Sequence, residues 1–478
     1  MSLQSTSSSL KFGTSGLRGL VVDLVGAPAR DWTAAFLHHM DTLKATQRTL
    51  LIGRDLRPSS PGIAADCAAA AQAAGWNVLD CGAVPTPALA LAAVARRAAA
   101  VMVTGSHIPD DRNGLKFYAP GEITKVDEEA IRAAHEAGPR SGQDGLGRVS
   151  DIGAETVEAY RQRYLATFTP DALAGLVVGV YQQSSVARDL LVDVLEGLGA
   201  RTVALGRADS FIPVDTEAHR PEDVTLLHDW ARDGGFSAFV STDGDADRPL
   251  VADAQGRILR GDVLGLLVAR VLGLDTIVTP VTSSAAMETS GVARQVRRTR
   301  VGSPYVIAGM EAATATGSAG VLGFEANGGC LLGSDVTLPG GVLTALPTRD
   351  AFLPILCALV AARQAAGDLR KAADALGAGH ALADRLKDIP ASASGPFLSR
   401  LADDAGFRAE FFAELGAVAE TDELDGVRVR LADGAVVHFR ASGNAPELRC
   451  YVEANKAERA ALLLRWGLAA AGREVGAA

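Results

Sequence analysis

The strongest constraint on this chain is a strand–helix–strand rhythm that runs, stops and restarts. Residues 49–53 read as a short apolar strand, and Ser59 or Ser60, with Pro61 behind, starts an Ala-rich helix that stops at Gly75. A strand at 76–81, a helix at 87–97 and a buried strand at 98–104 follow. Right-handed crossovers of this kind build a parallel sheet with helices on both faces. The polar, Gly-rich residues 138–147 mark a boundary. The rhythm resumes with strands at 176–181, 202–205 and 236–241 and helices at 186–199 and 222–233. It resumes again with strands at 276–280, 295–299 and 320–324 between helices at 262–272, 283–290 and 304–316. Beyond a helical region at 353–376, strands at 426–431, 436–440 and 447–452 and a closing helix at 457–470 have a different texture. The expectation is three consecutive mixed α/β sheet domains (1–147, 148–256 and 257–368) plus a smaller C-terminal α+β domain (369–478).

Composition narrows the function classes. The chain is 48% hydrophobic and 21% charged, which fits a well-buried globular protein and not a disordered one. A net charge of -10 argues against a nucleic-acid partner, which wants a basic face. Cys67, Cys81, Cys330, Cys357 and Cys450 are scattered, odd in number and without CxxC spacing, as expected of reduced thiols in the cytoplasm. No apolar run approaches the roughly 18 residues of a membrane span, and the N-terminus lacks the apolar stretch of a signal peptide.

The chemistry gathers in the loops that end these strands. Residues 98–104 deliver Gly105-Ser106-His107 into a loop punctuated by Pro109 and Asn113-Gly114, with Lys116 on the returning stretch. Open α/β sheets place their reactive groups at such strand ends. His107 and Lys116 could handle protons or balance negative charge, although an ordinary surface turn reads the same way. Asp243, Asp245 and Asp247 alternate after the strand 236–241. On an extended backbone alternate residues point one way, so three carboxylates could converge on one hard cation. A calcium EF-hand is excluded by Arg248 at the sixth position and Ala254 at the twelfth. Magnesium with an outside phosphate oxygen fits better, and a solvated acidic turn is the bland alternative. Arg440, Ser442, Gly443, Asn444 and Arg449 offer the inventory of a phosphate cradle, or of a hairpin turn with two surface arginines. Glu325 to Gly329 suit sugar hydroxyls or an ordinary turn equally, and Arg18 is the one strong anion fork in Lys11 to Gly19.

Taken together, these loops resemble the α-D-phosphohexomutase family. Phe12 to Gly19 is similar to its opening FGTSGxRG, Thr104 to Pro109 to its phosphoserine loop and Asp243 to Arg248 to its metal loop DGDxDR. Phe324 to Gly329 resembles the sugar loop and Arg440 to Pro446 the phosphate loop, while residues 53–57 and 84–87 resemble framework pieces. The resemblance implies a heart-shaped, four-domain enzyme with one loop from each domain in a common cleft. It implies that Ser106 is phosphorylated and that Asp243, Asp245 and Asp247 hold Mg2+ against its phosphate. Arg18, Lys116 and Arg248 would stabilise the transferring group and shuttle protons, with His107 assisting. Gly302, Glu325 and Asn327 would read the sugar. Arg440, Ser442, Gly443, Asn444 and Arg449 would hold the phosphate not being transferred. The implied cycle passes through a hexose 1,6-bisphosphate, with phosphosugars the only partners, and the enzyme a monomer or weak homodimer.

Several positions depart from the family pattern. Ile108 replaces an Asn, Ala246 a frequent Gly, and Asn444-Ala445 a Thr-Glu. In the sugar-reading region Phe324 replaces Gly, Asn327 Ser, Gly329 His and Ser303 a histidine. The serine, the carboxylates and the arginines all remain. The variants at 104–109 and 442–447 are most similar to a bacterial phosphomannomutase subgroup, which implies mannose phosphates, with glucose or glucosamine phosphates as alternatives. The rivals from other classes are a catalytically silent sugar-phosphate-binding protein and a metal-dependent phosphatase. An intact Ser106 speaks against the first, and a second phosphate clamp against the other.

Overall fold

The computed structural model describes residues 8–13, 16–44, 47–119, 121–138, 146–442 and 446–476. Among these residues the strands form four sheets of four or more strands and one two-stranded ribbon. The first three large sheets use one device. In the first, Ala99–Val103 runs parallel to Thr49–Arg54 and antiparallel to Arg112–Tyr118. In the second, Ala238–Thr242 runs parallel to Val177–Gln183 and antiparallel to Pro249–Asp253. In the third, Val321–Phe324 runs parallel to Thr276–Pro280 and antiparallel to Cys330–Leu332. Each sheet therefore sends one buried strand into a hairpin loop, and those loops hold Ser106, the three aspartates and Glu325. The three sheets are mixed, as expected.

The apolar runs are continuous because both faces of these sheets are covered. Leu50, Ile52, Val101 and Val103 point into one cluster, while Leu51, Ala100 and Met102 alternate into another on the opposite face. The second and third sheets share a core: Val178, Val240, Ile277 and Phe324 pack in one cluster with Phe352, Ile355 and Leu359 of the helix Phe352–Gln364. The C-terminal domain has its own core, built on Phe412, Phe439 and Leu463. It is tied to the third domain by hydrogen bonds, from Ser284 and Ala285 to Glu453 and from Val301 to Asp425.

Several details differ from the sequence reading. Val149–Asp151 pairs with Asn77–Ala83, so the first sheet extends past residue 147. Leu369–Asp374 packs into the shared central core, and the C-terminal sheet starts at His380–Lys387. That sheet has five strands, not three. His380–Lys387, largely exposed, and Val418–Asp422, half-buried to exposed, lie at its two edges, and neither carries a buried apolar alternation. The helix expected over 283–290 is confined to Ala286–Thr289. The Ser59 and Ser60 hydroxyls make no cap: the Ser60 hydroxyl donates to Asp55 at 2.5 Å and Ser59 Oγ accepts from Asn113 at 2.8 Å. No helix among the described residues is long and apolar enough to cross a membrane.

Candidate active site

Ser106 is fully buried at the end of Ala99–Val103, with its backbone in the left-handed region at φ 57°. A non-glycine residue held there is strained, and something must hold it. Its backbone N–H donates to Thr104 Oγ1 at 2.8 Å, and Thr104 donates to Asp55 Oδ2 at 2.8 Å. Arg57 does more. Its guanidinium donates to the carbonyls of Ser106 (2.9 Å), Ile108 (2.6 Å), Pro109 (2.8 Å) and Arg112 (3.2 Å), with Nε on Asp55 at 3.0 Å. A Cβ on Gly105 would lie 2.6 Å from Arg57 Cζ, so this close approach requires glycine. The Ser106 hydroxyl donates to Asp243 Oδ2 at 2.5 Å and lies 3.1 Å from His107 Nδ1.

Asp243, Asp245 and Asp247 are fully buried, and one ligand atom from each lies within 4.8 Å of the others. The three carboxylates converge as their alternation predicts, but not from an extended backbone. The loop is a tight turn, with Ala246 at φ 59° and its N–H donating to the Asp243 carbonyl at 3.2 Å. The Asp247 and Arg248 N–H groups both donate to Asp243 Oδ1 at 3.2 Å, folding the loop around that carboxylate. Thr86 braces it from the first domain, through its hydroxyl to Asp245 Oδ2 at 2.5 Å and its N–H to the Asp245 carbonyl at 2.8 Å.

Two unit charges about 4 Å apart at an effective dielectric near 20 interact by roughly 4 kcal/mol, so three carboxylates this close need cations. Lys116 donates to Asp245 Oδ2 and Asp247 Oδ2, both at 2.6 Å. Arg349 adds two bonds to Asp247 Oδ2, from Nε at 3.1 Å and Nη2 at 2.9 Å. Burial, with Asp245 and Asp247 beside it, lifts Asp243 well above the ordinary carboxylate range. Burial also pushes Asp247 upward, but Arg349, Lys116 and Arg248 outweigh it and hold Asp247 well below that range. Asp245 Oδ1 and Asp247 Oδ1 are buried with no hydrogen-bond partner, and oxygens in that condition suit a divalent cation.

Arg18 presents buried Nε and Nη2 atoms without partners, and burial reinforced by Arg248 lowers its pKa to about 10. Arg248 Nε is likewise buried without a hydrogen-bond partner, in an ion pair with Asp247 Oδ1 at 3.7 Å. These are guanidinium groups available to an anion. Burial, then Arg248 and Arg18, drive His107 down to about 2, so its ring is neutral.

Gly302 precedes the helix Ser303–Ala315. Ser303 Oγ donates to Glu325 Oε2 at 3.2 Å, and Asn327 Nδ2 to the same oxygen at 3.4 Å. Arg440 and Arg449 make their ion pairs inside the C-terminal domain, with Asp425 at 2.8 Å and Glu447 at 3.3 Å. Ser442 N–H donates to the Glu447 carbonyl at 2.9 Å. Gly443 and Asn444 lie outside the described residues.

The structure therefore brings Ser106, His107, Lys116, Arg18, Arg248 and the aspartates together, with Glu325 linked to them through Arg349. Sequence reasoning missed Arg349, and treated residues 53–57 and 84–87 as framework without seeing that Arg57 and Thr86 brace the site.

Models of the phosphoglucomutase/phosphomannomutase family match residues 9–140 and 157–256 (alpha/beta/alpha domains I and II), 260–377 (domain III) and 399–465 (C-terminal domain). The chain is 48% identical over 466 residues to a phosphomannomutase of Sinorhizobium fredii, covering 96% of this chain and 98% of that one. It is 40% identical over 455 residues to a phosphomannomutase of Salmonella muenchen, covering 95% and 94%. A crystal structure of a phosphoglucomutase/phosphomannomutase family protein from Burkholderia thailandensis shares the fold, with a TM-score of 0.77 at 22% identity over 96% of this chain and 97% of that one.

Proposed function

The chain belongs to the phosphoglucomutase/phosphomannomutase family, and from that premise we propose that it is a phosphomannomutase, interconverting mannose 1-phosphate and mannose 6-phosphate through phosphorylated Ser106 and a hexose 1,6-bisphosphate. The observation that carries the reading is the Ser106 hydroxyl 2.5 Å from Asp243, in a buried cluster where ligand atoms of three aspartates lie within 4.8 Å of one another.

Asp243, Asp245 and Asp247 would hold Mg2+, using the unpartnered oxygens of the last two. Bound there, the ion supplies charge neutralisation on the phosphate. The remaining work falls to this chain's own groups. Arg57 fixes the serine loop, so the Ser106 oxygen does not have to be positioned at each turnover. Arg18 and Arg248 would take the equatorial phosphate oxygens, where preorganised donors lower the barrier most. In each half-reaction a sugar hydroxyl oxygen bonds to phosphorus as the bond from phosphorus to Ser106 Oγ breaks, or the reverse. The proton lost by the entering hydroxyl must reach the departing oxygen. Lys116, which donates to Asp245 and Asp247, and His107, whose Nδ1 lies 3.1 Å from Ser106 Oγ, are placed to carry it, beside Arg18 and Arg248.

Glu325 and Asn327 would accept and donate to sugar hydroxyls, with Gly302 at the edge of the same surface. Arg440, Ser442 and Arg449, joined by Gly443 and Asn444, would hold the far phosphate. A clamp on a domain with its own core can hold either end of a bisphosphate while the sugar turns over. We place the activity in the cytoplasm, as a monomer or weak homodimer. All five cysteines are free and buried, as suits a reducing compartment.

The test is a coupled assay on mannose, glucose and glucosamine 1-phosphates with Mg2+ and a trace of hexose 1,6-bisphosphate. The wild type should turn over mannose 1-phosphate best, and Ser106→Ala should lose that turnover. If no sugar turns over with bisphosphate present, the silent binding protein replaces the mutase.

A further inference from the structure

We propose that Arg349 is a positioning residue that couples the metal loop to the sugar loop, so that cation and hexose phosphate strengthen each other's binding. The inference rests on the function proposed above and assigns a role to a residue outside all five loop motifs. Arg349 sits near the end of Leu346–Asp350 in the third sheet, with its side chain 3% exposed. One face of its planar fork holds Asp247 Oδ2 through Nε and Nη2. On the other side Nη1 donates to Ser303 Oγ and lies 3.7 Å from Glu325 Oε2. One rigid guanidinium therefore spans a carboxylate of the second domain and a carboxylate of the third.

The two oxygens of Asp247 divide the labour. Oδ2 is taken by Arg349 and Lys116, whereas Oδ1 is buried and has no hydrogen-bond partner. A cation received at Oδ1 leaves the Arg349 contact at Oδ2 in place, so the arginine transmits the change of charge instead of being displaced. As Asp247 shares its charge with a cation, Arg349 is left more strongly attracted to Glu325, and that fixes the sugar-reading carboxylate.

Two positions where this chain departs from the family pattern lie against Arg349. A Cβ on Gly329 would stand 2.5 Å from the Asp247 carbonyl oxygen, 3.0 Å from Arg349 Cδ and 3.1 Å from Arg349 Cβ, so a larger residue there collides first with the metal-loop backbone and then with the arginine stem. Ser303, buried and small, supplies the hydroxyl that accepts from Nη1. Both departures thus lie against one buried side chain, delivered from the strand that pairs with Cys330–Leu332.

Coupling between two ligands is reciprocal, and a factor of roughly tenfold is typical. The test uses the full-length Ser106→Ala protein, which binds without transferring phosphate. Calorimetric titration of mannose 1-phosphate with and without Mg2+ should show Mg2+ tightening the sugar about tenfold, and the sugar tightening Mg2+ by the same factor. Adding Arg349→Met should bring both factors to about one, and Arg349→Lys, which keeps the charge but cannot span both carboxylates, should lower them as well. If the methionine variant does not fold, the lysine variant decides alone. A purely structural role would weaken binding equally with and without Mg2+, and an unchanged factor in the lysine variant overturns the proposal. If Ser106→Ala binds no hexose phosphate at all, the proposed function falls and takes this inference with it.

Discussion

Arg57 donates to the carbonyl of Ser106 at 2.9 Å from a position 49 residues away, and it is the principal reason that the serine holds its left-handed backbone. Both Arg57 and its partner Asp55 have fully buried side chains. Burial raises Asp55 despite the arginine beside it, so removing Arg57 leaves a buried carboxyl without its cation. Arg57→Met should cost about 3–5 kcal/mol of stability, the usual result of breaking a buried pair from one side. It should also lower kcat at least about a hundredfold, because four carbonyls of the loop lose their donor. Asp55→Asn in the same chain should recover part of the Tm and none of the kcat. Recovery of both would mean that Arg57 matters only for folding.

Gly105→Ala probes the same contact more gently. Its Cβ would meet Arg57 Cζ at 2.6 Å and Nε and Nη2 at 2.8 Å. A guanidinium committed to four carbonyls cannot move aside, so the serine loop has to. Overpacking of this kind costs roughly 1–3 kcal/mol, and we expect kcat to fall at least about tenfold while the mannose 1-phosphate KM stays within about threefold. Steady-state kinetics alongside a melting curve would separate the two effects.

Much of this was legible in the sequence. Buried strands covered on both faces leave continuous apolar runs, and the loops at their ends hold Ser106, Asp243 and Glu325 as expected. The geometry inside the loops was not legible. The alternation of Asp243, Asp245 and Asp247 suggested an extended backbone, whereas a turn through Ala246 does the converging. Arg349 was unreadable because its partners Asp247 and Ser303 lie 102 and 46 residues away, and no local pattern encodes such a pairing. The edge strands His380–Lys387 and Val418–Asp422 escaped because exposed strands have no need of apolar alternation.

The aspartate cluster makes stability depend on pH in a way that Mg2+ should reverse. Asp243 is lifted by burial and by its two neighbours, so its contribution to folding is complete below the ordinary carboxylate range and is lost as pH rises through its raised value. Asp247, held low by Arg349 and Lys116 against burial, behaves oppositely: its contribution is present above the ordinary range and is lost as pH falls through its depressed value. A divalent cation favours the ionised form of both and displaces the proton from Asp243. The increase in Tm on adding Mg2+ should therefore be larger at about pH 8 than at about pH 5. Equal increases at both pH values would show that Asp243 is not the group that titrates.

Asp425 joins the proposed phosphate clamp to the sugar-reading region. Its Oδ2 accepts from Arg440 Nε at 2.8 Å and from the Val301 N–H at 2.9 Å, one residue before Gly302. Its carbonyl accepts from His438 at 2.7 Å, and the neighbouring Leu424 carbonyl accepts from Arg300 at 3.2 Å. The turn at 424–425 is thereby clipped across the third and fourth domains. A second tie, from Ser284 Oγ and the Ala285 N–H to Glu453 at 2.5 and 2.9 Å, would survive the loss of Asp425, so the C-terminal domain should stay attached. What would go is the orientation of Arg440. A hydrogen bond to a charged group contributes about 1.5–3 kcal/mol, so Asp425→Ala should raise the mannose 1-phosphate KM at least about tenfold. The chemical step at Ser106 is untouched, and kcat should change by less than about threefold. Faster amide exchange at Val301 should accompany the rise in KM, because that N–H loses its acceptor. A KM that holds steady while Val301 exchanges faster would show that Arg440 keeps its orientation without Asp425.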